Sequence, residues 1–255
     1  AIENERNVNK KIDILYADTL VEPPPVIENA KKMLDKIEKW AKEKNLPLNT
    51  KILHPELKDS FFVLMLGKGY LPPTRWFRWC TERLKIKPIK KYIRKLVKDN
   101  QGCVVILGMR QNESYTRDAS LKKRGSTKWM RFEGLKNAMI YAPILELSTE
   151  DVWTYLLNNE PPWGYDNNYL RTLYTAGDTA CSLWCGGIRF GCWTCTVVKK
   201  DRCTENLSEL PGWEWLDYLL AYRDLILLLR DDAKYREIRE KNGKTYLGPF
   251  NVEAR

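Results

Sequence analysis

Four cysteines lie within one short stretch of the chain, and thiols at this density can hold a metal centre. Their spacing is Cys181-x3-Cys185-x6-Cys192-x2-Cys195. Four thiolates bind either a zinc ion or an iron–sulfur cluster. Structural zinc sites usually pair two short knuckles across a longer spacer, whereas these cysteines share one compact, glycine-containing loop. The spacing therefore favours a cluster over zinc and over a set of buried free thiols, and it leaves Cys203 as a spare or substitute ligand.

Cys80 stands apart from this group, in the most basic part of the sequence. Residues 75–98 contain ten Lys and Arg residues but a single acidic residue, Glu82. Neighbouring cations stabilise a thiolate, which lowers the pKa of a cysteine and makes it a better nucleophile or persulfide carrier. We therefore predict that Cys80 is the catalytic, sulfur-handling thiol. The alternative is a structural cysteine beside a solvated basic face.

Basic and aromatic residues also occur together, which favours a nucleic-acid partner because cations pair with phosphates and aromatic rings stack on bases. The aromatic side chains within residues 75–98 are Trp76, Phe77, Trp79 and Tyr92. Residues 122–128 form a second basic segment, predicted to be a loop. The whole chain has 43 Lys and Arg against 33 Asp and Glu, a formal net charge of +10. This surplus favours polyanionic partners such as DNA, although a well-solvated lysine-rich surface would also account for it.

Strands and helices that alternate along the chain are expected to position these residues. Short apolar runs predict strands at Ile12–Ala17, 50–53, 103–107 and 139–141, with amphipathic helices between them. This order is typical of an α/β fold with a doubly wound parallel sheet. We assign residues 1–157 to this domain and residues 158–255 to a Cys-rich segment followed by a C-terminal helical region.

Two features of the second half refine this assignment. Ser148 is predicted to cap a helix, because it is followed by the acidic residues Glu150 and Asp151 and then by an apolar run. A further helix is predicted at residues 213–230, and the polar tail after it is expected to be loosely ordered.

Ligands of doubly wound sheets bind at the carboxyl ends of the strands. Asp18 ends the first predicted strand, while Arg110 and Glu113 follow the third, directly after Gly108. A glycine at a strand end permits close backbone approach, and a guanidinium can clamp a phosphate. We therefore predict that Asp18, Arg110 and Glu113 bind a nucleotide.

The composition also excludes several classes of protein. His54 is the only histidine, so Ser–His catalysis and histidine-rich metal sites are excluded. No apolar stretch is long enough to span a bilayer, and the first residues lack the apolar region of a secretory signal. Seven clustered cysteines in such a chain argue against a disulfide scaffold. We expect a cytoplasmic protein without a membrane partner.

Five segments resemble the phosphoadenosine-phosphosulfate reductase and ATP-pyrophosphatase superfamily, and within it the DndC-like sulfurtransferases of DNA phosphorothioation. They are DTLVE at 18–22, GKGYLPPTRWFRWCTERLKIKP at 67–88, GMRQNES at 108–114, ELSTEDVWTYL at 146–156 and CGGIRFGCWTCTVVKKD at 185–201. The second and the last are the most specific.

This resemblance implies an adenine-nucleotide alpha-hydrolase-like fold, ATP with magnesium, and a 4Fe–4S cluster held by Cys181, Cys185, Cys192 and Cys195. It also implies that a nonbridging oxygen of a DNA phosphate is replaced by sulfur. A cysteine desulfurase would deliver that sulfur, in a complex with other phosphorothioation subunits. Cys80 would handle the sulfur and Arg110 would contact a nucleotide phosphate. The alternatives are tRNA sulfuration, reduction of a sulfate adduct, a DNA-binding subunit without turnover that carries a cluster or zinc, or a structural adaptor.

One motif of that superfamily is absent from these 255 residues. It is the Ser-Gly-Gly-Lys-Asp-Ser phosphate loop that follows the first strand of the fold. Because the later motifs that resemble the nucleotide-binding side of the superfamily remain intact, we expect the phosphate loop to precede these residues. Loss of ATP chemistry is the alternative.

Overall fold

A parallel βαβ unit begins the chain in the computed structural model, which describes residues 10–113, 115–123, 125–175 and 190–255. Strands β1 (Ile12–Ala17) and β2 (Leu48–Leu53) pair in parallel, with Ile12 opposite Leu48. Helix α1 (Pro24–Glu43) connects them. Its proline start suits a first helical turn, whose N–H groups have no partner within the helix. The apolar stripe that it buries consists of Ala30, Leu34, Ile37 and Ala41.

Cys80 lies in the first turn of a helical stretch that runs from residue 79 to residue 100. This stretch contains a π-helical segment (Thr81–Ile86) and then helix α2 (Lys87–Asn100). Pro88 explains the wide turn, because its ring cannot donate a helical hydrogen bond and clashes with the carbonyl four residues earlier. A π-helical turn provides the extra room.

A three-stranded sheet follows, formed by β3 (Cys103–Ile106), β4 (Trp129–Arg131) and β5 (Ala138–Tyr141). The β3 and β5 strands are parallel, and β4 pairs antiparallel with β5. Helix α3 (Tyr115–Lys123) lies between β3 and β4 in the chain. The predicted α/β fold with parallel strands is confirmed. Its four predicted strands are divided between two sheets, and β4 was not predicted.

The described residues of the next part of the chain form the helices α4 (Thr149–Asn158), α5 (Asn167–Thr175), α6 (Arg202–Ser208) and α7 (Leu216–Asp231). The predicted cap of α4 is confirmed. The Ser148 hydroxyl accepts from the Asp151 amide at 3.0 Å, and the Asp151 carboxylate accepts from the Ser148 amide at 2.8 Å. Among the described residues, no helix is both long and apolar enough to cross a membrane.

The expectation of a loosely ordered tail is wrong. Strands β6 (Arg236–Lys241) and β7 (Lys244–Phe250) form an antiparallel hairpin. Asn242 and Gly243 turn it, with φ values of 55° and 72°, as two-residue hairpin turns require. The Phe250 amide donates to the Gly69 carbonyl at 2.8 Å, and this bond fixes the hairpin to the first half of the chain.

The largest buried cluster joins residues from both halves of the chain. Val21, Phe61 and Trp79 belong to the first half, whereas Ile226 and Phe250 belong to the second. Both predicted segments, 1–157 and 158–255, therefore contribute to one hydrophobic core.

Candidate functional site

Three cysteines that are distant in sequence come together in the fold. Cys192 and Cys195 lie in one turn, closed by a 2.9 Å bond from the Cys195 amide to the Cys192 carbonyl. Cys80 is close enough to interact electrostatically with both, and none of the three forms a disulfide. The structure therefore associates Cys80 with the Cys-x2-Cys turn. Cys181 and Cys185 lie outside the described residues.

The Cys-x2-Cys turn is attached to the segment that follows β1. The Trp193 amide donates to the Val21 carbonyl at 3.0 Å. The Thr19 hydroxyl lies 3.6 Å from the Cys192 thiol, and Thr19 is fully buried. These contacts place the turn at the carboxyl end of a parallel strand, where doubly wound proteins bind their ligands.

Two arginines of α7 hold the other side of the turn. The guanidinium of Arg223, 1% exposed, donates to the carbonyls of Cys195 at 3.1 Å and Lys199 at 2.9 Å, and also to that of Val198. Arg230, two helical turns further on, donates to the Thr196 carbonyl at 2.9 Å. The backbone after the cysteines is thus held by charge-assisted hydrogen bonds, which are stronger than neutral ones.

Burial makes two of these thiols, Cys192 and Cys80, less acidic. It raises the pKa of Cys192 to about 11, although the Thr19 hydroxyl and the Lys85 ammonium partly oppose the rise. Burial also raises the pKa of Cys80, a rise that hydrogen bonding from Thr81 partly opposes. The expectation that nearby cations would lower the pKa of Cys80 is therefore wrong. Without a metal, both thiols are protonated near neutral pH.

One cation does face the thiols, and a carboxylate holds it there. The Lys85 ammonium lies 3.0 Å from the Glu22 carboxylate, which also accepts from the Tyr16 hydroxyl. Burial alone would lower the pKa of Lys85, but Glu22 and the Cys192 thiol outweigh it and raise that pKa. Lys85 is therefore a charged group beside the cysteines.

The three predicted nucleotide-binding residues each have a partner in a different segment of the chain. Asp18 is buried, accepts from the Leu20 amide at 2.8 Å and lies 3.6 Å from the imidazole Nδ1 of His54. Arg110 donates to the Thr149 hydroxyl at 3.0 Å, at the start of α4. Glu113 pairs with Arg117. Asp18 adjoins the cysteine turn through its neighbour Thr19, whereas Arg110 and Glu113 follow β3.

Cys203 packs in a second buried cluster, beside the start of the cysteine turn. It packs with Leu173, Leu207 and Leu216, and burial raises its pKa to about 12. The Gly191 amide, directly before Cys192, donates a hydrogen bond to this thiol, so Cys203 stays a candidate spare or substitute ligand.

Several of the basic residues at 75–98 form ion pairs with acidic side chains. Arg83 and Lys87 both pair with the buried Asp59, and Lys91 pairs with Glu56 at 2.9 Å. Among the described residues, no ion pair is formed by the remaining cations, which are Arg75, Arg78, Lys90, Arg94, Lys95 and Lys98.

The aromatic residues of this stretch have different environments. Trp79 is buried and stacks on Phe61 with ring centroids 5.4 Å apart. The Tyr92 hydroxyl donates to Asp13 at 2.9 Å. Trp76 and Phe77 are exposed, so they are the aromatic groups available to stack on a base.

The second basic segment is only partly a loop. Lys122 and Lys123 end α3, and Lys128 pairs with Glu146 at 2.9 Å. Arg124 lies outside the described residues. Lys122 and Lys123 thus lie on a helix, whereas Lys128 has an acidic partner.

Comparison with known proteins gives one family and two relatives. Residues 5–198 match the model of the phosphoadenosine phosphosulfate reductase domain. The chain is 29% identical to the uncharacterized protein MJ0973 of Methanocaldococcus jannaschii over 240 residues, which cover 91% of this chain and 48% of that protein. It is 25% identical to the uncharacterized protein MJ0066 of the same organism over 219 residues, which cover 85% of this chain and 38% of that protein. The chain thus spans less than half the length of these two relatives.

Proposed function

Because the chain belongs to the phosphoadenosine phosphosulfate reductase domain family, we propose that it is part of an ATP-dependent iron–sulfur sulfurtransferase of the DndC-like type. In this proposal the enzyme inserts sulfur into the DNA backbone as phosphorothioate. A cysteine desulfurase supplies the sulfur, and other subunits of a modification complex assist. The family supports a nucleotide-using enzyme of sulfur chemistry, and the thiol geometry supports the narrower assignment.

The observation that carries this proposal is the approach of Cys80 to Cys192 and Cys195. Among the described residues, no group of three His, Cys, Asp or Glu side chains is close enough to hold one metal ion. Thiolates are the ligands of both iron–sulfur clusters and structural zinc. The single compact loop that carries Cys192 and Cys195 supports the cluster, because structural zinc sites usually pair two short knuckles across a longer spacer. Cys181 and Cys185 are the other candidate ligands.

The raised pKa values of Cys80 and Cys192 are compatible with this assignment. A buried thiol that is protonated in the free chain loses its proton when iron binds, since the metal supplies the missing positive charge. When bound, the cluster would supply iron and sulfide for redox or sulfur chemistry. Lys85, paired with Glu22, is placed to stabilise negative charge on Cys192 and Cys80.

A reductase that acts on a sulfate adduct is the second candidate, because the matching family model is itself described as a reductase domain. Such an enzyme would release sulfite from a nucleotide substrate and would leave DNA unchanged. The exposed Trp76 and Phe77, beside Arg75 and Arg78 in the chain, favour DNA because they are suited to stack on bases and pair with phosphates.

The test uses the full-length protein with its sulfur donor and DNA, and compares Cys80→Ser with Cys103→Ser. Serine is nearly isosteric with cysteine but cannot form a persulfide or a thiolate ligand. We expect Cys80→Ser to abolish phosphorothioate, measured by mass spectrometry of digested DNA. We expect Cys103→Ser, a change in β3 away from the thiol group, to retain it.

Iron measured in the same preparations separates the roles of Cys80. Loss of both iron and phosphorothioate would identify Cys80 as a cluster ligand, whereas loss of phosphorothioate alone would identify it as a sulfur carrier. Normal phosphorothioate in Cys80→Ser would remove Cys80 from the proposed site. Sulfite release without any DNA modification by the wild-type protein would favour the reductase.

A further inference from the structure

A cleft of about 330 Å³ lies between the end of β2 and the first turns of α2, outside the thiol group. Its apolar wall includes Ile52, Pro88 and the ring of Tyr92. Its cationic side chains are Arg83, Lys87, Lys91 and Lys95. The last three are spaced four residues apart, so they lie on one face of α2 at intervals of about 6 Å.

Carboxylates neutralise part of this charge but not all of it. Glu56 lines the cleft and pairs with Lys91. Asp59, buried behind it, pairs with Arg83 and Lys87. Four cations against these two carboxylates leave two positive charges in excess. Lys95 is exposed and makes no ion pair with any residue that the structure describes.

We propose that this cleft binds the phosphodiester backbone of a nucleic-acid strand, an inference that rests on the proposed function and gives its DNA a second contact surface. A row of lysines on one helix face neutralises successive phosphates. The apolar wall beside that row, with the edge of Tyr92, accommodates a sugar or a base.

The surroundings of the cleft favour a polymer over a small free anion. A second row of cations on α2, formed by Lys90, Arg94 and Lys98, continues outside it without acidic partners among the described residues. A free phosphate would use only one or two of these groups, whereas a strand can engage both rows.

The cleft also lies next to the thiol group along the chain. Arg83 lines the cleft, and Lys85, two residues further on, pairs with Glu22 beside Cys192. Both residues belong to the π-helical segment Thr81–Ile86. A nucleic-acid strand bound in the cleft would therefore contact the short helical segment that directly follows Cys80.

The experiment measures binding of a fluorescent DNA duplex by anisotropy over a range of salt concentrations. It uses the full-length protein and three variants: Lys95→Glu, Glu56→Gln and Lys31→Glu. Lys31 is exposed on α1, away from the cleft lining, so it provides the same charge change elsewhere. Unfolding curves check that each variant is folded.

We expect Lys95→Glu to weaken binding about tenfold and to reduce the slope of log affinity against log salt by about 0.9, the value for one phosphate contact on duplex DNA. Glu56→Gln should tighten binding, because it removes a negative charge from the lining. Lys31→Glu should leave the slope unchanged. Competition by inorganic phosphate at millimolar concentration should not displace the duplex.

Two outcomes would overturn the inference. Equal salt slopes for Lys95→Glu and Lys31→Glu would show that only overall charge matters. Displacement of the duplex by millimolar phosphate would show that the cleft binds a small free anion and not a nucleic-acid strand.

Phosphorothioate in the same DNA is measured separately, so the two proposals can fail independently. If the wild-type protein modifies DNA but Lys95→Glu binds DNA with the wild-type salt dependence, the proposal for the cleft is wrong and the proposed function stands. If Lys95→Glu reduces the salt dependence of DNA binding but the wild-type protein forms no phosphorothioate, the proposed function is wrong and the proposal for the cleft stands.

Discussion

The hydroxyl of Thr19 lies 3.6 Å from the thiol of Cys192, although 173 positions separate the two residues in sequence. Thr19 follows the buried carboxylate at the end of β1 and is itself fully buried. The contact therefore joins the carboxyl edge of a parallel strand to the cysteine turn. It makes the ionisation of Cys192 depend on a residue of the segment that follows β1.

Replacing Thr19 by valine should make the Cys192 thiol less acidic. Hydrogen bonding to Thr19 lowers the pKa of Cys192, which burial raises to about 11. Losing the hydroxyl should raise that pKa further, so less thiolate is present at any given pH. The measurement is the rate of Cys192 alkylation in metal-free protein, followed by mass spectrometry from about pH 7 to about pH 11.

Thr19→Ser is the matched control, because it keeps the hydroxyl while removing a methyl group. Its pH profile should follow that of the wild type. Identical profiles for Thr19→Val and the wild type would show that the hydroxyl does not influence the thiol.

Arg223→Met should destabilise the cysteine turn. The change leaves the carbonyls of Cys195, Val198 and Lys199 without their charged donor, and an unsatisfied buried group costs about 1–3 kcal/mol. Water entering the vacated space would satisfy some of them, so we expect a loss of about 3 kcal/mol in the free energy of unfolding. Denaturant unfolding measures it, together with iron bound after anaerobic reconstitution.

Arg239→Met is the control for that variant, since Arg239 lies half-exposed on the hairpin and pairs with Glu237. It should change stability by less than about 0.5 kcal/mol. Equal losses in the two variants would contradict a specific role for Arg223 in holding the turn.

Local pattern was enough to predict much of the fold. Residues Ile12–Ala17 form the predicted strand with the same bounds, because a short and mainly apolar run precedes a polar end. The cap at Ser148 was also predictable, since it depends on residues three positions apart. The Asn242-Gly243 pair is a typical hairpin turn sequence. Its flanking strands are polar, however, and lack the alternation of apolar and polar residues that usually marks strands.

The site was less predictable because its contacts join distant parts of the chain. The approach of Cys80 to Cys192 is set by the packing of a helix against a loop, which no spacing encodes. The raised pKa of Cys80 has the same origin, since sequence shows neighbouring cations but not burial. Arg223 did carry a signal: an arginine within the apolar face of α7 needs buried partners.

The next prediction concerns which cysteines bind the proposed iron–sulfur cluster. We expect anaerobically purified full-length protein to contain about four iron and about four sulfide per chain, as one cubane cluster requires. Cys192→Ser and Cys195→Ser should lose the iron, because they remove thiols of the converging group. Cys203→Ser should keep it, because Cys181, Cys185, Cys192 and Cys195 already supply the four thiolates that a cubane needs. Iron and acid-labile sulfide assays measure these outcomes.

Zinc in place of iron, without sulfide, in the anaerobic preparation would contradict the cluster. Iron loss in Cys203→Ser as large as that in Cys192→Ser would show that Cys203 is a ligand despite its position.

The final prediction concerns stability in acid, which Asp59 should control. Hydrogen bonding from Lys87, supported by Arg83, lowers the pKa of Asp59 below its usual value of 3.8, although burial opposes the shift. A carboxyl group whose pKa is lower in the folded state stabilises the protein above its unfolded-state pKa. That contribution is lost as the pH falls through the folded-state pKa.

Asp59→Asn should therefore reduce the free energy of unfolding by about 2 kcal/mol near neutral pH. This is less than the usual cost of breaking a fully buried pair, because Arg83 and Lys87 are partly exposed. The difference between variant and wild type should shrink as the pH falls below about 4. Asp35→Asn, which removes an exposed partner of Lys39 on α1, should change stability little at any pH. Denaturant unfolding at several pH values measures all three proteins, and a constant difference for Asp59→Asn across the acid range would show that its charge does not contribute.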